Sequence, residues 1–247
     1  ILSGQSAHIS AQSIDNGSGN IQAVAGLGLN VQGDIDNHAG SILAGDALNI
    51  QAQTINNSDT QGSGQGLQGQ SINVQAVSLD NQQGSIVADE NATLKLTNTL
   101  DNRKGKITAA KQLSISGQSG ALASTLNQQG DLIAGELLQI NTQTLDNAEG
   151  KIQSLGSLDA SIGSDFHTAK GKIEANGDAH LNINGTLTNS YSLVAGGKLS
   201  INSHDLINEA QATINAGETE LNISNGLINK GLIDGQNNFI QAKDINN

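Results

Sequence analysis

Side chains that could bind a metal ion or act as an acid–base pair are present in this sequence, but they are scattered. Glu218 with Glu220, or Asp89 with Glu90, could supply paired carboxylates. Glycosidases use such pairs together with aromatic platforms for the sugar, and this chain has only one tyrosine and two phenylalanines. None of the histidines has the short spacing of a metal-binding pair. They are His8, His38, His167, His180 and His204. We therefore predict no catalytic site, no metal site and no cofactor.

Calcium is the ion that the acidic residues could most reasonably bind, because several of them recur directly before an asparagine. These residues are Asp15, Asp36, Asp80, Asp101 and Asp146. If they stack as a row of like charges, the row either binds cations or faces solvent. The chain lacks the Gly-Gly-x-Gly-x-Asp nonapeptide of calcium-binding β-rolls. We therefore favour a solvated row without calcium.

The charge and composition exclude several classes of partner. The formal net charge is −12, and no Lys or Arg precedes Lys95. This balance opposes binding to nucleic acid or to anionic lipid surfaces. No stretch approaches the roughly 18 consecutive apolar residues of a membrane span, and the first residues lack the regions of a signal peptide. We predict no nucleic acid partner and no membrane insertion, and we expect an internal segment of a longer protein.

The chain is built from a repeat of about 21 residues. One unit reads Leu-Asp-Asn at 79–81, Gly-Ser-Ile-Val-Ala at 84–88 and Leu-Lys-Leu at 94–96. The next unit has the same pattern at 100–102, 105–109 and 113–115. Equivalent units begin at Ile14, Ile35, Ile55, Leu79, Leu100, Leu126, Leu145, Phe166, Leu187, Leu206, Leu227 and Ile245. Self-similarity at this period is typical of solenoids.

Within each unit apolar and polar residues alternate, which is the period of a strand with one buried face. The segments are too short and too rich in Gly and Asn for helices. A single unit cannot bury its apolar face alone, but stacked units can. We predict an all-β fold, a right-handed parallel β-helix of about a dozen coils, in a single segment that covers residues 1–247. At about 4.8 Å per coil the rod would be roughly 55–60 Å long.

The third position of the unit is nearly always asparagine, so stacked coils would place these amides one above another. We predict a hydrogen-bonded ladder formed by Asn16, Asn37, Asn57, Asn81, Asn102, Asn147, Asn189, Asn208 and Asn229. Glycine recurs three residues later, and its tolerance of positive φ fits a tight turn there. These glycines are Gly19, Gly40, Gly84, Gly105, Gly150 and Gly171.

Three stretches lengthen the repeat. Residues 58–70 replace a strand with a Gly-, Ser- and Gln-rich segment, and the units near 117–124 and 155–165 are also longer. Insertions into a solenoid usually project as loops and often bind partners. The 58–70 segment is thus either a passive loop or a partner-binding loop. In the second case the contact residues would be Asp59, Gln61, Gln65 and Gln68.

The recurrent Leu-Asp-Asn, Gly-x-Ile-x-Ala and Leu-x-Ile pattern resembles the hemagglutinin repeats of two-partner-secreted exoproteins, which include filamentous hemagglutinins and contact-dependent growth inhibition effectors. The resemblance extends over nearly the whole chain. It implies a right-handed β-helix that is exported through a dedicated outer-membrane transporter, its partner during export, and that folds at the bacterial cell surface. The Asn-Pro motifs of the family's secretion domain are missing, since the chain has no proline.

Three functions are compatible with these observations. The first is a non-enzymatic rod of an adhesin or growth-inhibition exoprotein that displays a distal adhesive or toxic region. The second is a module that itself binds a target-cell receptor through the 58–70 insertion. The third is a carbohydrate-active enzyme, because the fold alone does not exclude catalysis. We favour the rod.

Overall fold

The computed structural model of the chain describes residues 1–247 and contains 28 strands and no helix. Each strand pairs in parallel with the strand that lies one coil further along the chain, as Ile86 pairs with Ile107 and Ile107 with Leu132. Pairing at this sequence separation winds the chain into about twelve stacked coils. The predicted all-β parallel β-helix is therefore confirmed.

The coils present three strand rows, which we call rows A, B and C in their order along each coil. Row A contains the Gly-x-Ile-x-Ala segments. It consists of β1 (Leu2–Ser3), β4 (Asn20–Ala23), β7 (Ser41–Ala44), β10 (Gly66–Gly69), β12 (Ser85–Ala88), β14 (Lys106–Ala109), β17 (Asp131–Ala134), β19 (Lys151–Ser154), β22 (Lys172–Ala175) and the first parts of β24 (Ser192–Asn208), β25 (Thr213–Ile223) and β27 (Leu232–Gln241).

Row B contains the Leu-x-Ile segments. It consists of β2 (Ala7–Ala11), β5 (Leu27–Val31), β8 (Ala47–Gln51), β15 (Gln112–Ser116), β20 (Ser157–Ile162), the first parts of β11 (Ser71–Asp80), β13 (Ala92–Asp101), β18 (Leu137–Asp146) and β23 (Ala179–Asn189), and later parts of β24, β25 and β27.

Row C leads into the asparagine position. It consists of β3 (Ile14–Asp15), β6 (Ile35–Asp36), β9 (Thr54–Asn56), β16 (Leu122–Leu126), β21 (Phe166–His167), β26 (Gly226–Asn229), β28 (Asp244–Asn246) and the ends of β11, β13, β18, β23 and β24.

One continuous aliphatic core of 53 buried residues fills the interior. Alternation along each strand places it there. In β12, for example, Ile86 and Ala88 point inward and are at most 2% exposed, whereas Val87 is half-buried. Because equivalent residues stack at every coil, leucine and isoleucine form columns along the axis, and each buried side chain stabilises the fold by roughly 1.5–3 kcal/mol.

The insertions differ from those predicted. Residues Gly66–Gly69 of the 58–70 segment form strand β10, in register with β7 and β12. Because Gly66 pairs with Ser41 and Thr60 occupies the place of Gly40, the inserted residues are 61–65 only. Residues 155–165 contain no protruding loop, since β20 pairs in register with both neighbouring coils. Between β15 and β16 a loop at 117–121 does protrude, closed by a bridge between Gly117 and Gly120.

Candidate functional site: the asparagine ladder and its corner

The asparagines that follow row C stack in one column inside the corner between rows C and A. Within each of two runs, Nδ2 of one asparagine donates a hydrogen bond to Oδ1 of the asparagine in the next coil, at 2.7 Å from Asn81 to Asn102 and 2.8 Å from Asn37 to Asn57. The first run of the column is Asn16, Asn37, Asn57, Asn81, Asn102, Asn127 and Asn147. The second run is Asn189, Asn208, Asn229 and Asn247. The predicted asparagines thus lie together, in two runs.

From Asn16 to Asn208 the side-chain amides of the ladder are buried and hydrogen-bonded, whereas Asn229 is half-buried and Asn247 is exposed. Asn57 and Asn102 are 0% exposed. The second N–H of Asn57 donates to the backbone carbonyl of Ser85 at 3.0 Å, and that of Asn102 reaches the carbonyl of Asp131 at 3.1 Å. An unpaired buried amide would destabilise the fold by several kcal/mol. Each asparagine therefore both requires and supplies a neighbour in the next coil.

The ladder contains Asn127, which the predicted set omits. The repeat beginning assigned to Leu126 is wrong by one residue, because Leu100 pairs with Thr125 and Asp101 with Leu126. Thr125 points inward in the place of an aliphatic residue and is fully buried. The sequence did contain the correct signal. Asn-Gln-Gln-Gly at 127–130 is identical to residues 81–84.

The column is interrupted at Thr168, which occupies the asparagine position one coil after Asn147. The Nδ2 of Asn147 finds no side-chain acceptor there and donates instead to the carbonyl of Gly150 at 3.3 Å and to that of Lys172 at 3.4 Å. Thr168 Oγ1 lies 3.4 Å from Oδ1 of Asn189 and accepts a hydrogen bond from the backbone N–H of Ser190 at 2.9 Å, so it contacts the next coil without an amide-to-amide bond. The interruption divides the ladder into its two runs.

The recurrent glycines serve the ladder by their small size. The residue with positive φ is the one before each glycine, such as Gln83 at 50° or Lys104 at 55°, whereas Gly84 and Gly105 have ordinary φ. The prediction that these glycines provide positive φ is therefore wrong. A Cβ on Gly84 would lie 2.5 Å from Oδ1 of Asn81 and would also meet the backbone oxygen of Asn57. At Gly84 the ladder thus occupies the space that a side chain would need.

The aspartates that precede the ladder cap the corner turn. In Asp80 the Oδ1 accepts a hydrogen bond from the backbone N–H of Gln82 at 2.9 Å. Asp15, Asp36, Asp101 and Asp146 accept the same bond two residues on, at 3.0 to 3.2 Å. This is an Asx turn. The arrangement gives the acidic row a structural role at the corner without requiring calcium.

Comparison with known proteins agrees with this architecture. Residues 1–68 and 156–247 match the haemagglutinin repeat family. The chain belongs to the haemagglutinin-repeat family. It is 29% identical, over 79% of its length, to the protein named "Toxin CdiA" of Yersinia pestis, and 25% identical, over 88%, to "tRNA nuclease CdiA" of Yersinia mollaretii. It spans 7% of the length of each of these relatives. No solved structure matches it.

The five-residue insertion 61–65 of this haemagglutinin-repeat chain lies against the corners of neighbouring coils. Gln61 Nε2 donates to the carbonyl of Lys104 at 2.6 Å, and Gln65 Nε2 donates to that of Ala39 at 2.9 Å. Gln68 is half-buried in β10, and its amide bonds the carbonyl of Gln65. Asp59 sits before the insertion and accepts from Gln83 at 3.1 Å. Only Asp59 and Gln61 of the four predicted contact residues are exposed.

Side chains that could do chemistry are distributed along the outside of the haemagglutinin-repeat coils. All five histidines are exposed, and no group of three or more metal-ligating side chains occurs. Glu218 and Glu220 share the ammonium group of Lys198. The hydrogen bond from Lys198 lowers the pKa of Glu220 below its ordinary value, the opposite of the raised pKa that a general acid needs. Glu90 pairs with Lys111 at 3.0 Å. The structure contains no helix that could span a bilayer.

We expect replacement of one ladder asparagine to destabilise the chain far more than replacement of an exposed one. Asn102→Ala leaves the buried Nδ2 of Asn81 without its side-chain acceptor and the buried Oδ1 of Asn127 without its donor, and should lower the free energy of unfolding by about 2–5 kcal/mol. Asn73→Ala on the exposed face is the matched control, with an expected change within about 0.5 kcal/mol. Urea unfolding followed by circular dichroism measures both. Equal effects would contradict the importance assigned to the ladder.

The pH dependence of stability should depend in part on Asp205. The backbone N–H of Gly226 and the amide of Asn225 bond its carboxylate and lower the pKa of Asp205. A carboxylate whose pKa is lower in the folded chain than in the unfolded chain stabilises the fold at any pH above its unfolded-state pKa of about 4. This stabilisation is lost as the pH falls through the folded-state pKa. Asp205→Asn should therefore destabilise the chain at pH 7 and have less effect at pH 3. Urea unfolding at both values tests this, and an equal effect would contradict it.

Proposed function

We propose that this chain is a non-enzymatic stalk segment of a longer, secreted haemagglutinin-repeat exoprotein, with residues 1–247 forming one continuous repetitive unit. The observation that carries the proposal is the unbroken parallel pairing from β1 to β28, with one core running through every coil. Such a structure provides reach and stiffness. Its function is to hold an adhesive or toxic region away from the cell surface.

The size of the relatives supports a stalk that is separate from any toxic region of the parent protein. The names of the two Yersinia proteins describe a toxin and a tRNA nuclease, yet the aligned segment is 7% of each. The acids and histidines of this chain are dispersed and form no group of three or more that could hold a metal ion. We infer that any toxic activity of the parent protein resides outside these coils and that the parent is exposed at the bacterial cell surface.

Export of the parent through an outer-membrane transporter is consistent with the chemistry of this chain. It has no cysteine and no proline. Neither disulfide formation nor slow prolyl isomerisation can therefore delay folding. Because each coil adds its backbone and its asparagine to the coil before it, the segment can fold coil by coil as it emerges. The transporter is the expected partner during export, and a target-cell receptor is the expected partner of the parent afterwards.

Single-coil deletions test the stalk. Asp15 pairs with Asp36 and Asp80 with Asp101, so deletion of 16–36 or of 81–101 joins an aspartate to the next ladder asparagine. Each deletion should preserve folding and shorten the rod by about 5 Å, as measured by small-angle scattering. In the parent exoprotein both should change target-cell attachment by the same small amount. Deletion of 81–90 breaks the register and is the control expected to unfold. Unequal effects of the two in-register deletions would contradict a spacer.

A second function is that the segment itself binds a target-cell receptor through the insertion 61–65. The exposed Gln61 and the neighbouring Asp59 favour it. Deletion of 61–65 joins Thr60 to Gly66 and restores a corner of ordinary length while keeping strand β10. Loss of cell attachment by this folded variant would support receptor binding. Unchanged attachment, which the stalk proposal predicts, would leave the insertion a passive loop.

A further inference from the structure

Three lysines surround a groove on the corner between rows C and A. Lys170 and Lys172 are exposed and Lys151 is half-buried. The groove has a volume of about 520 Å³, and Ser190, Gln211 and the ring of Tyr191 also line it. Nζ of Lys172 lies 5.8 Å from the centre of the Tyr191 ring. The groove therefore combines cations, hydroxyl and amide groups, and the only tyrosine of the chain.

A change in corner length produces the groove. In row A, Lys172 pairs with Ser192, and Ser192 pairs with Thr213. Three residues separate Thr168 from Lys172, two separate Asn189 from Ser192, and four separate Asn208 from Thr213. A short corner thus lies between an ordinary one and a long one. The same place has the interrupted ladder and the only two consecutive residues with positive φ, Ala169 and Lys170.

The positive charge at this groove is only partly compensated. None of the three lysines lies within 4 Å of a carboxylate, although the chain has 23 acidic residues and 11 basic ones. Lys151 and Lys172 are direct cross-strand partners, and like charges placed opposite each other are destabilising. Glu149 also lines the groove, and its Oε2 accepts a hydrogen bond from Gln129 at 2.8 Å. Three lysines therefore face one carboxylate, and the groove keeps an excess of positive charge.

We propose that this groove binds a carboxylate-bearing saccharide. Ammonium groups form strong charge-assisted hydrogen bonds with carboxylates, and an aromatic ring offers an apolar face and a polar tip to a sugar. The volume suits one or two sugar units. The net charge of −12 repels extended polyanions such as nucleic acid and anionic membranes elsewhere along the rod. A short acidic sugar avoids this repulsion. The inference goes beyond the stalk function and does not depend on it.

Titration calorimetry of the 247-residue chain with trigalacturonic acid, at low ionic strength, tests the site. The neutral sugar maltotriose is the ligand control. The wild-type chain should bind the acidic trisaccharide only, and the triple variant Lys151→Gln, Lys170→Gln, Lys172→Gln should bind it about tenfold or more weakly. The variant Lys95→Gln, Lys230→Gln, Lys243→Gln has the same net charge and should bind as the wild type does. Tyr191→Ser should weaken binding without a change of charge.

Several outcomes would overturn the site. They are no binding by the wild type, equal weakening by both triple variants, equal binding of maltotriose, and binding to phosphatidylglycerol vesicles without binding to the acidic sugar. Thermal unfolding provides an independent measurement. Lys172→Gln removes the repulsion from Lys151, so its midpoint should stay the same or rise. A lower midpoint would show that the lysine stabilises the fold and would contradict a charge kept for a ligand.

Discussion

The buried amide of each ladder asparagine is the interaction on which the rest of the structure depends. An asparagine side chain inside a protein must have its donors and acceptor paired. Here the partner is the same residue of the next coil, as between Asn57 and Asn81 at 2.7 Å. A one-residue slip would remove a coil's amide from the column and turn its apolar residues outward. The ladder and the buried apolar face thus fix the register together.

Other recurring features of the corner follow from that constraint. The aspartate before the asparagine caps the turn with its carboxylate, the residue before the glycine takes positive φ, and the glycine leaves room for the amides. Gln83 with Gly84 and Lys104 with Gly105 show the arrangement in successive coils. The recurring aspartates, which in sequence suggest a cation-binding row, are in this fold part of the same turn as the asparagines and glycines. These residues recur because every coil needs the same turn in order to stack.

Function in such a rod is therefore expected where the repeat departs from its rule. The insertion 61–65, the loop at 117–121 and the groove beside Lys172 all arise where a coil is lengthened or shortened. A regular coil exposes polar strand positions on a nearly flat surface. A corner of different length creates a groove, where charges such as Lys151 have no ion-pair partner. In the function that we propose, the regular coils supply reach and stiffness, and the groove beside Lys172, at an irregular corner, supplies a surface for a ligand.

The sequence by itself determined the repeat, the strand period, the parallel stacking and nearly all of the ladder, because these depend on periodicity and on residue type alone. It did not determine the register of every repeat unit or the length of every loop. Thr125 in an aliphatic position shifted the assignment of Leu126 and hid Asn127, and polar composition hid strand β10 at Gly66–Gly69. Only the tertiary structure decided these, because pairing with the neighbouring coils overrides local propensity. It alone also brought together Lys151, Lys172 and Tyr191, which lie on three successive coils.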